Sequence, residues 1–259
     1  MSADLHVEVV GDGPSLVLLH GWAMHGGVFA LLVEQLRSRY RLHVVDLPGH
    51  GRSRDSKVPL TLQACADAIA AAVPRAPWCG WSLGGLIALH AAATRADAVP
   101  GLAMLCASPR FVRGDNWPYG MSAEIFRDFA EGLRNDYRGT LDRFIALEVF
   151  GSDDARGELR TLRAEVFSRG EPAAHVLADG LGLLETVDLR STLPDLGMPN
   201  LWIAGRRDRL VDPRAMREAA SLAPGSSFAV VEHGGHAPFL THAEAVATLL
   251  DDFLQAVPA

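Results

Sequence analysis

The sequence predicts an α/β domain: a mainly parallel sheet with helices on both faces and one helical insertion. Three observations predict it. Short apolar runs alternate with longer helix-like stretches, the pattern of successive βαβ units. The alternation stops between about residues 110 and 193, where the chain turns helical, charged and aromatic. One strand also runs straight into a serine flanked by glycines, a strand-to-helix turn with a known chemical use. The 259 residues suit one such domain with an insertion. A content of 49% hydrophobic and 21% charged residues is an ordinary globular balance.

The elements follow in order. "LHVEVV" and "SLVLLH" read as strands, and a helical pattern runs from about Val28 to Arg39. "RLHVVD" is a third strand, followed by the loop "LPGHGRS" and a helix near Leu62–Val73. "APWCG" is a short strand leading into "SLGGLIALHAAATR", which has helical composition. "GLAMLCAS" is a buried strand that closes the first core segment, residues 1–109. Residues 110–193 form the helical lid insertion, rich in aromatics such as Trp117, Phe126, Phe129, Phe144 and Phe150. The second core segment, 194–259, holds the strand "NLWIAG", a helix opened by "DPRAMREAA", the strand "SFAVVE" and a last helix near Ala243–Gln255.

Composition excludes several function classes. A net charge of −7 argues against general nucleic-acid binding, which needs a basic footprint. Lys57 is the only lysine, so nearly all positive charge is arginine. Cys65, Cys79 and Cys106 are widely spaced in apolar surroundings, giving neither a disulfide framework nor a zinc pattern. They read as buried free thiols in a reducing compartment. "MSADLHVEVVGDGP" lacks the basic and apolar regions of a signal peptide, and no apolar run approaches a membrane span. A soluble, cytoplasmic, monomeric protein is expected, with no membrane partner.

The sharpest chemical signal is "CGWSLGG", residues 79–85. Gly80-x-Ser82-x-Gly84 after a strand and before a helix is the setting of a nucleophile elbow. The backbone passes close to other elements there, so the neighbours two residues either side must be small. The helix that follows places free N–H groups and positive dipole beside the oxygen. A serine that only caps the helix is the competing reading. Acyl transfer also needs donors for the oxyanion, and the N–H groups of Leu83 and Trp22 are the candidates, Trp22 lying in "LLHGWAMHGG" after the second strand. His20 reads as a structural residue bonding within that loop.

The acid and base should follow the serine in that order. "RRDRLVDP" offers Asp208 and Asp212. Asp212 precedes Pro213 and a helical run, the pattern of an N-cap with proline at the first helical position. Asp208 lies just past a strand's carboxyl end, where open α/β sheets gather functional groups. Asp208 is therefore assigned as the acid. The histidines beyond it are His233, His236 and His242. His236 follows Gly234 and Gly235, which are expected to give its loop the freedom to aim the ring at Ser82. A metal site at H-G-G-H is weak, because two glycines would disrupt a ligand-bearing helix and no carboxylate lies between the histidines.

"LVLLHGW", "VVDLPGHGRS", "GWSLGG", "GRRDRLV" and "GGHAPF" occur in the order and near the spacing of the α/β-hydrolase superfamily, which the chain resembles. Within it, the chain is similar to the pimeloyl-[acyl-carrier protein] methyl ester esterases of biotin synthesis. "LHGW", "DLPGHGRSR", "GWSLGGL", "NWP", "RFIAL", "TVDLR" and "HAPF" carry that likeness along nearly the whole chain. The resemblance implies an α/β-hydrolase fold, a Ser82–Asp208–His236 triad, and an oxyanion hole from the Trp22 and Leu83 amides. It implies no metal or organic cofactor. Trp22, Trp81, Phe144 and Phe150 are expected to line the acyl chain. Arg143, Arg156 and Arg160 match positions that would contact an acidic acyl carrier protein or the polar end of the chain, and Arg138 lies one position from another. "HGWAMH" and "LVDP" depart from the family pattern and leave room for a different substrate.

Arg156, Arg160 and Arg163 recur at i, i+4 and i+7, so a helix would present them together. Such a strip could steer an acidic carrier despite the net negative charge. Asp153, Asp154, Glu158 and Glu165 lie among them, so a solvated face laced with ion pairs is the competing reading. The expected activity is a serine carboxylesterase acting on the carrier-bound methyl ester. A general esterase for small-molecule esters and a non-catalytic binding protein on the same fold are the alternatives.

Overall fold

Seven strands form one sheet in the computed structural model, which describes residues 5–258. They are β1 (Val7–Val10), β2 (Ser15–Leu19), β3 (Arg41–Val45), β4 (Trp78–Trp81), β5 (Leu102–Leu105), β6 (Asn200–Gly205) and β7 (Ser226–Val231). Across the sheet they lie in the order β1-β3-β2-β4-β5-β6-β7. β1 runs antiparallel to β3, and every other neighbouring pair is parallel. Central parallel strands are covered on both faces, so they need apolar residues throughout and not in alternation. β4, β5 and β6 accordingly are buried at every position.

The helices are α1 (Ala30–Leu36), α2 (Leu62–Ala72), α3 (Leu83–Thr94), α4 (Ala123–Asn135), α5 (Tyr137–Glu148), α6 (Ala155–Ser168), α7 (Ala174–Thr186), α8 (Pro213–Leu222) and α9 (Ala243–Ala256). α1 packs with α9 and α2 with α3, forming the layers that flank the sheet. α3 is apolar all round its first turns, and nearly all of Leu83–Ala92 is buried. That is the composition of a helix surrounded by protein. The helical pattern expected from Val28 divides into a 3-10 turn, Gly26–Phe29, and α1. His25 causes the break, because its Nδ1 accepts the Gly27 N–H and caps the turn.

The segment between β5 and β6 carries α4 to α7 and contributes no strand to the sheet. Two isolated bridges, Val112 with Met121 and Gly114 with Trp117, shape its entrance. All three cysteines are free and buried, and burial pushes the Cys65 and Cys79 thiols up to about 12. Among the described residues no helix is long and apolar enough to cross a membrane.

The strand order fixes where a site can form. After β2 the chain moves outward to β3, then returns to place β4 on the other side of β2. A crevice opens outside the carboxyl ends at such a switch point. The loop beginning at His20 leaves β2 there, and Ser82 leaves β4 there. The loops after β6 and β7 reach the same edge.

Candidate active site

Ser82 sits between β4 and α3 with φ 54° and ψ −119°, a conformation costly for any residue with a side chain. The turn holds because its surroundings over-determine it. A Cβ on Gly80 would collide with the Gly84 carbonyl, and one on Gly84 with the Leu19 carbonyl. The Ser82 N–H donates to the Leu105 carbonyl at 3.2 Å, and the Ser82 carbonyl accepts from Gly85 at 2.9 Å. Ser82 makes no side-chain cap bond to α3, which removes the helix-capping alternative.

The β2 loop lies directly against the serine. A Cβ placed on Gly21 would stand 3.1 Å from the Ser82 Cβ. His20 fixes this loop, as its Nδ1–H donates to the Gly21 carbonyl at 2.8 Å and its Nε2 accepts the Leu47 N–H at 2.9 Å. Burial, with His50 alongside, keeps its imidazole well below the usual range, so it stays neutral. Leu83 is the first residue of α3, and its N–H precedes the helical hydrogen-bond ladder.

Asp208 and His236 come from the loops after β6 and β7. Asp208 Oδ2 accepts from His236 Nδ1 at 2.8 Å, and both side chains are fully buried. The other carboxylate oxygen accepts the Leu210 and Val211 amides, each at 2.9 Å. An ionised carboxylate only accepts, so the proton of the neutral ring resides on Nδ1 and Nε2 keeps its lone pair. That Nε2 is buried with no hydrogen-bond partner among the described residues. The arrangement can remove a proton from a group placed at Nε2 and stabilise the resulting cation.

Asp212 is placed elsewhere. Its carboxylate caps α8 by accepting the Arg214 N–H at 2.8 Å, with Pro213 in the first turn. His233 pairs with Asp153 at 3.0 Å and stacks on His242, which stands at the start of α9. Of the three histidines in the 233–242 stretch, His236 is the one that pairs with Asp208.

The other expected residues sit in different surroundings. Gly234 and Gly235 have no left-handed backbone; they permit close approach, because a Cβ on Gly234 would stand 2.7 Å from the Pro238 Cβ and one on Gly235 3.1 Å from the Ser152 Cβ. The loop after β6 meets them through Gly205, where a Cβ would collide with the Gly235 carbonyl. Trp81 is buried against Phe239, and its indole N–H donates to the His236 carbonyl at 2.8 Å. Its evident work is holding the histidine loop. Phe150 is 63% exposed and makes no ring contact among the described residues, so packing does not tie it to an acyl channel. Trp22 and Phe144 do meet, with ring centroids 4.4 Å apart, and Phe129 packs on Phe144. Trp22 is further tied to the insertion through its indole N–H on the Leu177 carbonyl at 2.8 Å.

The candidate carrier-binding arginines differ in environment. Arg143 donates to Thr140 at 2.7 Å, Arg163 pairs with Asp142 and Arg138 with Glu171. Arg156 and Arg160 are exposed, and neither has a carboxylate partner among the described residues. Glu158 is not part of a solvated face. It is 1% exposed, and so is Glu148. Sequence reasoning missed both. Glu158, Leu162 and Val166 form the buried stripe of α6 at i, i+4 and i+8, and that spacing was the available signal.

Residues 14–243 match the model of the alpha/beta hydrolase fold family. The chain belongs to the α/β-hydrolase fold family. A protein of Stenotrophomonas maltophilia (strain K279a) is 57% identical over 253 residues, covering 98% of this chain and 97% of the relative. One of Xanthomonas campestris pv. campestris (strain B100) is 58% identical over 254 residues, covering 98% and 100%. Both are named pimeloyl-[acyl-carrier protein] methyl ester esterase. Among solved α/β-hydrolase structures, an esterase from Exiguobacterium antarcticum superposes with a TM-score of 0.86 at 25% identity, covering 97% of this chain and 96% of that one.

Proposed function

We propose that this α/β-hydrolase cleaves the methyl ester of a pimeloyl group borne on an acyl carrier protein, releasing methanol and the carrier-bound acid. The Asp208–His236 pair, with its free Nε2 at the edge where Ser82 stands, carries the chemistry. The shared name of relatives 57–58% identical over nearly the whole chain supports the substrate.

Ser82 Oγ attacks the ester carbonyl while His236 Nε2 takes its proton, and Asp208 stabilises the imidazolium. The carbonyl oxygen becomes an oxyanion facing the Trp22 and Leu83 amides, where each donor contributes roughly 3–4 kcal/mol. The tetrahedral centre collapses, the C–O bond to methoxide breaks, and His236 returns the proton to give methanol. Water then loses a proton to the same nitrogen, attacks the acyl-enzyme, and frees the acid and Ser82. Trp22 and Phe144 supply an apolar wall for the acyl chain.

The insertion acts as a lid, and Arg156 and Arg160, exposed and unpaired among the described residues, receive the acidic carrier with Arg143. The reaction belongs in the cytoplasm, where acylated carrier is made. The test compares kcat/KM for the carrier-linked methyl ester and for a free short methyl ester, in wild type and in Arg156→Glu/Arg160→Glu. The carrier ester should be preferred, and charge reversal should remove that preference while sparing the free ester. Equal kcat/KM for both esters in wild type would leave a general esterase.

A further inference from the structure

Two buried carboxyls of the insertion lie beside the Asp208–His236 pair and take no part in the reaction above. Glu148 ends α5, and Glu158 lies in the first turn of α6. Glu158 is the one with directional partners. Its Oε1 accepts hydrogen bonds from Ser152 Oγ at 2.6 Å and from Thr241 Oγ1 at 2.9 Å.

These two hydroxyls bracket the catalytic histidine. Ser152 packs on Gly235, the residue before His236: a Cβ built there would stand 3.1 Å from the Ser152 Cβ. Thr241 lies at the far end of the same loop, after the short Pro238–Leu240 turn. From the core side, the Trp81 indole holds the His236 carbonyl. From the insertion side, Glu158 bonds Thr241 at one end of the loop, and its other partner, Ser152, packs on Gly235 at the other.

We propose that Glu158 is a positioning residue for His236, clamping the histidine loop to the helical insertion through Ser152 and Thr241. A loop-borne base needs such support, because a general base must stay within about 0.5 Å of its working position. Burial raises the Glu158 carboxyl above its usual range, yet Oε1 can accept both hydroxyls whether the group is ionised or carries its proton on Oε2. The contact also makes the insertion part of the catalytic apparatus, beyond any role in receiving substrate.

The proposal rests on His236 being the base, and the test separates the two claims. Glu158→Ala, Glu158→Gln, Thr241→Val and His236→Ala are assayed with a free short methyl ester, where carrier docking plays no part. Folding of each is checked by circular dichroism and thermal melting. Folded Glu158→Ala should lose about a hundredfold in kcat, the scale of a misplacement near 1 Å, with KM unchanged. Glu158→Gln keeps an amide oxygen for both hydroxyls and should recover most of that loss. Thr241→Val cuts the clamp on the loop side and should lower kcat in the same direction as Glu158→Ala. Wild-type kcat in folded Glu158→Ala or in Thr241→Val overturns the proposal, as does Glu158→Gln impaired as badly as Glu158→Ala. If Glu158→Ala does not fold, Thr241→Val decides alone. Normal turnover in His236→Ala would sink the triad itself; an inactive His236→Ala beside an unaffected Thr241→Val sinks the clamp only.

Discussion

Replacing Glu148 with methionine should stabilise the protein, and more so as the pH rises. Glu148 is 1% exposed, and neither of its carboxyl oxygens has a hydrogen-bond partner among the described residues. Burial, reinforced by the nearby Asp208 charge, pushes its carboxyl well above the usual range. A buried polar group without a partner costs about 1–3 kcal/mol. Methionine fills similar space with no polar oxygens and adapts to irregular cavities. The expected gain is therefore about 1–3 kcal/mol, or roughly 2–4 °C in melting temperature per kcal/mol for a chain of this size.

The pH dependence has a definite sign. In the unfolded chain Glu148 ionises near 4.3, the ordinary glutamate value, while in the fold it holds its proton to higher pH. The folded state then binds more protons across that window, so the wild type loses stability as pH rises from the unfolded value through the raised folded one. Glu148→Met lacks this loss. Urea unfolding at several pH values between about 4 and 9 measures it. The stability difference between variant and wild type should be smallest at the acid end and grow with pH. A variant less stable at every pH, or a difference that does not change with pH, would refute the reasoning.

Other outcomes follow from the same contacts. Gly84→Ala forces a Cβ into the Leu19 carbonyl and should cost about 3 kcal/mol or more, read as a lowered urea midpoint or as loss of folded protein. Trp81→Phe keeps an aromatic ring but strands the His236 carbonyl, costing about 1–3 kcal/mol. Its kcat on a short ester should fall while KM holds, because the displaced element is the base and not a substrate contact. Asp208→Asn should lower kcat by about 10⁴-fold, the cost of the wrong imidazole tautomer in a comparable triad. His233→Ala, which removes an exposed partner of Asp153, should leave turnover near wild type in the same assay.

The parts of the fold that the sequence made legible are those governed by local pattern. "NLWIAG" reads as a buried strand and forms β6 over the same residues, because a central parallel strand must be apolar throughout. The serine turn is legible because its glycines answer to backbone collisions within a few residues or with the neighbouring strand. Asp208 and Asp212 can be told apart because an N-cap before proline has its own signature. The rest depends on distant partners. Glu158 looks like one acid among arginines until Thr241, 83 residues away, is seen against it. Sequence gives no direction for the Trp81 indole, which turns to the His236 carbonyl 155 residues on. The glycines before His236 also answer to distant neighbours, Gly235 to Gly205 and Ser152. Periodicity reports burial along one element; it carries no account of which loop that element meets.

The central claim is that Ser82 is a nucleophile activated by His236. Intact-mass spectrometry after treatment with a serine-directed phosphonate ester tests it most directly. Wild type should gain a single adduct that peptide mapping places on Ser82, and labelling should be lost in Ser82→Ala and severely slowed in His236→Ala. An adduct that persists in Ser82→Ala, or labelling of Ser82 at an undiminished rate in His236→Ala, would contradict it.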